Sequence, residues 1–176
     1  MRGVASTALV SIDVAVVVER RKAKSPWLDF VWRPVAVLAG LPEAEPWIAL
    51  SATEETTLFY AGTAVIELFR TETANYRSNL ASQTPSLWVA LRRQPSGHVY
   101  KLFAVTADPA EGEALSDAGD DLIEAVPMPP AIAATISEFI SRHHIERPFV
   151  KRSRDPGRSR AASCGGGEKR AANGRA

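Results

Sequence analysis

The chain has 176 residues, 45% of them hydrophobic and 23% charged, with 21 Lys/Arg against 20 Asp/Glu and a single cysteine. That length holds one domain with a true core plus an appended segment. One cysteine excludes a disulfide framework and a thiolate metal centre, which fits a reducing, cytoplasmic setting.

The near-zero net charge hides an asymmetry. Residues 147–176 carry nine Lys/Arg and two Asp/Glu, a net of +7, whereas residues 1–146 carry twelve and eighteen, a net of −6. From about residue 153 onward, "SRDPGRSRAASCGGGEKRAANGRA" lacks the apolar content to fold. The expected organisation is one α+β domain over 1–152 and a disordered basic tail over 153–176.

Near the start, Asp13 interrupts the apolar run, leaving only Val14–Val18 before Glu19. That is too short for the apolar region of a signal peptide or for a membrane span. The alternation Val10, Ile12, Val14, Val16, Val18 predicts a strand with one buried face. Short β-branched and aromatic runs then predict strands near 31–38, 47–51, 56–60 and 63–70, with "YAGT" as a tight hairpin between the last two. Pro34 cannot donate a ladder bond, so its strand is an edge or carries a bulge there. Thr71 is the expected cap of a helix over 72–82, with Thr73, Tyr76 and Leu80 facing inward.

Strands at about 86–93 and 99–106 flank a Gln94-Pro95-Ser96-Gly97 turn. Asp108 as N-cap, Pro109 in the first turn, Glu111 at the capping-box position and Gly119 as stop define a second helix. A strand over Leu122–Val126 follows, and "PMPP" introduces a last helix over 130–144. Together these elements predict an α+β fold: a mostly antiparallel, curved sheet, open or barrel-like, with two or three helices packed on it.

Adjacent histidines, His143 and His144, draw attention to the last helix. Ile132, Ile136, Phe139, Ile140 and His143 form one stripe, so His143 closes its end and His144 is rotated by about 100°. Neighbours on a helix do not face each other, and no third ligand is placed to help, so no metal site is expected. Glu138 and Arg142 form an i,i+4 pair in the favourable order. Seven carboxylates between Asp108 and Glu124, without Lys or Arg among them, read as a solvated acidic face.

There is no Gly-x-Ser-x-Gly elbow, P-loop or Gly-x-Gly-x-x-Gly turn. No catalytic residue and no cofactor is assigned. The basic tail has no interleaved aromatics and the body is acidic, which argues against specific nucleic-acid recognition. Trp27, Trp32 and Arg33 are of the types that anchor protein interfaces, although they could simply be core tryptophans with a stacked arginine. With Lys151 and Arg152 at the head of the basic segment, they are the candidate partner contacts.

The blocks "VVVERR", "SPWLDFVWRPVAVLAG", "YAGTAVIELFRTETANYRSNL", "PSLWVALRR", "EAVPMPP" and "RHHIERPFVKRSRD" occur in that order between Val16 and Asp155. As a set they resemble an uncharacterised proteobacterial family, domain of unknown function 3305. The resemblance implies an accessory role beside molybdenum- or tungsten-dependent formate dehydrogenase, with a subunit or maturation factor of that enzyme as partner. It also implies an alternative, a small enzyme or carrier acting on the molybdenum cofactor or a nucleotide, as in molybdopterin-guanine dinucleotide biosynthesis. A guanylyltransferase resembles a nucleotide-binding fold with a Gly-rich loop after its first strand. Here that strand runs into "ERRKAKSPW", which has no glycine to bring backbone N–H groups against a diphosphate.

Mild trypsin is expected to strip the segment after about residue 153 and to spare residues 1–150, as read by intact-mass analysis. Survival of the full 176-residue chain would contradict that division.

Overall fold

The computed structural model describes residues 8–95, 99–117, 119 and 121–145. The proposed tail over 153–176, together with Lys151, Arg152 and His98, lies outside the described residues. In chain order the elements are β1 (Val10–Lys22), β2 (Phe30–Ala39), β3 (Ile48–Ala52), β4 (Thr56–Leu68), α1 (Thr73–Leu80), β5 (Ser86–Arg93), β6 (Tyr100–Thr106), α2 (Pro109–Ser116), β7 (Leu122–Pro127) and α3 (Pro130–His143).

The α+β expectation holds, with two sheets in place of one. A four-stranded sheet has the order β2-β1-β4-β3 and a three-stranded sheet the order β6-β5-β7. Among the described residues every pairing is antiparallel, and no closed barrel forms. The sheets meet where β4 approaches β6 and β2 approaches β7. One apolar core joins Val14, Val16 and Val18 to Leu87, Val89 and Leu91, and to Ile132, Ile136 and Phe139 of α3.

The expectation of one buried face on β1 is too modest. Val14, Ala15, Val16, Val17 and Val18 are all buried, so its central stretch is covered on both sides. Its place between β2 and β4 fills both edges, and the second sheet with α3 covers the face of Val14, Val16 and Val18.

The expected "YAGT" hairpin is overturned. Residues 56–68 are one continuous strand with a bulge, because consecutive residues Val16 and Val17 face Gly62 and Tyr60 and leave Ala61 extra. Gly62 takes φ +125, a backbone conformation glycine adopts without steric cost. The glycine thus bends a strand and does not reverse it. The link from β2 to β3 joins opposite edges of the sheet, and its Pro46 comes within 3.7 Å of where a Gly62 side chain would begin. Pro34 meets both of its expectations: β2 is an edge strand, and a register shift leaves Val35 extra between Pro34 and Ala36.

Thr71 does not cap α1. It lies in a 3-10 turn, Arg70–Glu72, and α1 starts after it without a side-chain cap. The inward face is Thr73, Tyr76 and Asn79, with Leu80 half-buried. Asn79 is the polar surprise. Its amide donates to the carbonyls of Ser86 and Ala107, each at 2.8 Å, and its oxygen accepts the Ser86 N–H at 3.0 Å. One side chain thereby ties α1 to the start of β5 and the end of β6.

Asp108 caps α2 as expected, accepting the Ala110 N–H at 2.8 Å. The capping box is relayed: the Thr106 hydroxyl accepts the Asp108 N–H and donates to the Glu111 carboxylate at 2.6 Å. Asp108 is buried and also accepts from the Asn75 amide, while Asp121 pairs with Arg92 at 3.0 Å. Several of the seven clustered carboxylates are therefore structural, not members of a solvated face.

Gly112 lets α2 rest on β5. A side chain there would begin 2.3 Å from the Trp88 ring. Gly112→Ala should therefore destabilise the fold by about 1–3 kcal/mol in denaturant unfolding, despite alanine's better helix propensity.

Tyr76 is buried between α1 and α3, its ring edge-on to Phe139 at 6.3 Å, and its phenol oxygen accepts the Phe69 N–H at 3.2 Å. Burial pushes the phenol up to about 12, against that amide's opposing effect, with the charges of Asp108, Glu72 and Glu111 adding to the rise. The sign follows from the raised folded value: this stabilisation is complete below the ordinary value of 10.0 and is lost as pH climbs through about 12. An absorbance titration near 295 nm should show one tyrosine ionising late, in step with alkaline unfolding, and Tyr76→Phe should remove that step.

Candidate functional site

β1 and β2 form a long hairpin whose connection contains Trp27. Lys22 faces Phe30 at its last rung, and the Ala23 N–H donates to the Asp29 carbonyl at 3.0 Å. Trp27 is 90% exposed, and its N–H is held by the Ser25 hydroxyl at 3.3 Å. Leu28, Phe30 and Val31 are exposed beside it in sequence. An indole this open has no packing role in the described fold.

The structure does not gather the sequence candidates into one patch. Trp32 faces Arg20 across the ladder and Arg33 faces Glu19, so these neighbours point to opposite faces of β2. Arg33 is exposed, on the same side as Val31. Trp32 is half-buried on the face turned toward the second sheet, since its ring meets Tyr100 of β6 at 6.0 Å. It also stacks on Phe59 at 5.6 Å and sits edge-on to Trp47 at 6.0 Å. Trp27 and Arg33 are thus candidates for surface contact, while Trp32 belongs to an internal aromatic cluster. The placement of Lys151 and Arg152 lies outside the described residues.

The arginine stacked on these rings is Arg20, which sequence reasoning passed over. Its guanidinium carbon is 4.5 Å from the Phe30 ring centre, 5.2 Å from Phe59 and 5.8 Å from Trp32. Nη2 donates to the Thr57 hydroxyl at 3.3 Å. The available signal was strand parity: Arg20 continues the inward series Val14, Val16, Val18.

The histidines divide their work. His143 is half-buried, packed on the Phe139 ring at 4.7 Å. His144 follows the helix in extended conformation and turns onto α1, with Nδ1 3.1 Å from the Thr73 hydroxyl and Nε2 3.2 Å from the Arg77 guanidinium. A guanidinium only donates, so Nε2 accepts and Nδ1 carries the proton. The Thr73 hydroxyl accepts the hydrogen bond from Nδ1–H and donates its own to the Arg70 carbonyl at 3.2 Å. This is a clasp between α3 and α1.

A shallow depression of about 270 Å³ is lined by Ser78, Asn79, Ser82, Thr84, Ser86, Trp88 and Pro109. None of the described residues that line it is ionisable, and the Asn79 amide that borders it is committed to the backbone. Among the described residues no group of three or more His, Cys, Asp or Glu side chains is placed to hold a metal ion. Nor is any described helix long and apolar enough to cross a membrane.

Fold and surface together define a small two-sheet α+β protein whose β1–β2 hairpin exposes Trp27, Leu28, Phe30 and Val31 among charged neighbours. The chain belongs to the family described as protein of unknown function DUF3305, whose model matches residues 13–153. No curated protein and no solved structure matches it.

Proposed function

We propose that this chain is a non-catalytic accessory protein that works through protein–protein contacts, and that its docking element is the β1–β2 hairpin. The observation that carries this reading is Trp27, 90% exposed at the hairpin connection with Leu28 at 60%. Tryptophan is among the residues that dominate binding energy when a partner buries them, and its two side-chain torsions keep the conformational cost of burial low. Val31 and Arg33 extend the surface along the outward face of β2. Pro34 and its bulge discourage indiscriminate strand pairing along that edge.

The resemblance to sequences associated with formate dehydrogenase supplies the partner: a subunit or maturation factor of a molybdenum or tungsten formate dehydrogenase, in the cytoplasm. The absence of a glycine in the β1–β2 connection favours this role over a nucleotide-handling one.

Full-length protein should capture such a subunit from its native host. Trp27→Ala should weaken that capture by about 2 kcal/mol, roughly thirtyfold, while leaving the melting temperature unchanged. Loss of melting temperature without a separate binding defect would refute docking through Trp27. A pterin or nucleotide co-purifying in stoichiometric amount, with no protein partner, would refute the accessory role.

A further inference from the structure

Arg20 carries a charge that the described protein does not balance. It is half-buried, and its Nε is inaccessible to solvent with no hydrogen-bond partner. Of the five N–H donors on a guanidinium, one reaches an acceptor, the neutral Thr57 hydroxyl at 3.3 Å. No described carboxylate forms an ion pair with it; the adjacent Glu19 points to the opposite face and pairs with Arg21 at 3.2 Å. Buried polar groups are normally satisfied, and a buried cation is normally paired, because desolvation is costly otherwise.

The surroundings are equally specific. Arg20, Trp32 and Thr57 lie side by side on three strands, and Phe30 and Phe59 sit diagonally on either side. Phe30 is 39% exposed, so the aromatic wall is open on its side. Aromatic faces hold a guanidinium in place without neutralising it.

We propose that Arg20, walled by Phe30, Trp32 and Phe59, is a binding site for a carboxylate attached to an apolar or aromatic body. The carboxylate would take the outer edge of the guanidinium fork, the geometry that planar anions prefer. The body would lie along the rings. This site is independent of Trp27 docking, because it lies on the face of the sheet turned toward β6.

The test uses the full chain and nitrogen–proton NMR of the indole N–H groups, together with melting curves. Sodium phenylacetate is expected to shift the Trp32 and Trp47 signals saturably at concentrations up to about 10 mM and to raise the melting temperature. Its neutral analogue, phenylacetamide, should do neither. Arg20→Met should melt at the same or a higher temperature, since it removes an unbalanced charge, yet lose the response. Arg20→Lys keeps the charge without the fork and should weaken binding about tenfold, which serves if the methionine variant fails to fold.

N-acetylphenylalanine separates two sources of the ligand. Tighter binding than phenylacetate assigns a polypeptide-borne carboxylate; equal or weaker binding assigns a free acid. Equal responses to phenylacetate and phenylacetamide would overturn the proposal, as would an unaltered response in Arg20→Met. Stronger binding of inorganic phosphate would overturn the carboxylate class. A wild-type chain that ignores phenylacetate, with Arg20→Met melting far lower, would make Arg20 a purely structural cation.

Discussion

The burial of β1 on both faces is the constraint from which the rest of this fold follows. A strand with Val14 through Val18 fully enclosed needs a partner on each edge and cover on each side. The β2 and β4 ladders supply the edges, and the second sheet with α3 supplies one cover. Burial of that stretch stabilises by roughly 1.5–3 kcal/mol per large aliphatic side chain, so no single surface feature competes with it. Its two bulges, opposite Val16/Val17 in β4 and opposite Val17/Val18 in β2, fall at the same level. The sheet therefore bends where β1 is most enclosed, and the half-buried Trp47 enters the aromatic cluster beside that bend with a φ of +68.

Polar side chains organise what the apolar core leaves open. α1 is short and weakly amphipathic, with no side-chain cap, so helix propensity alone would not hold it. It is pinned by Asn79 to β5 and β6, by Tyr76 to the turn before it, and by the Asn75 amide, which donates to Asp108 and Glu72. The His144 clasp adds α3 to the same group. Buried networks of this kind confer a single arrangement when every member is satisfied, and here the helices obtain their positions from them.

The two features read functionally lie at the same end of β1, beyond its enclosed stretch. Past Val18 the inward series changes from valine to Arg20, and past Lys22 the chain leaves the sheet for the Trp27 connection. Apolar side chains that build the core thus give way to aromatics and cations that do not need to. One end of the sheet serves stability and the other remains available for contact.

Element types were legible in the sequence because they rest on local periodicity: the strands of both sheets, the Asp108 cap and the α3 stripe all follow from spacing within a few residues. Pro34, which lacks a ladder donor, foretold an edge or a bulge, and β2 has both. The "YAGT" stretch was misread because glycine permits either a turn or a bulge, and only the partner strand decides between them. Trp32 and Arg33 were grouped by adjacency, whereas strand pairing sends them to opposite faces. Arg20 could not be paired with its rings from sequence, since its neighbours come from β2 and β4 and the Thr57 contact spans 37 residues. Local sequence chose most of the element types, while partner strands decided between turn and bulge at Gly62. The register between distant strands, a tertiary property, chose what each face meets.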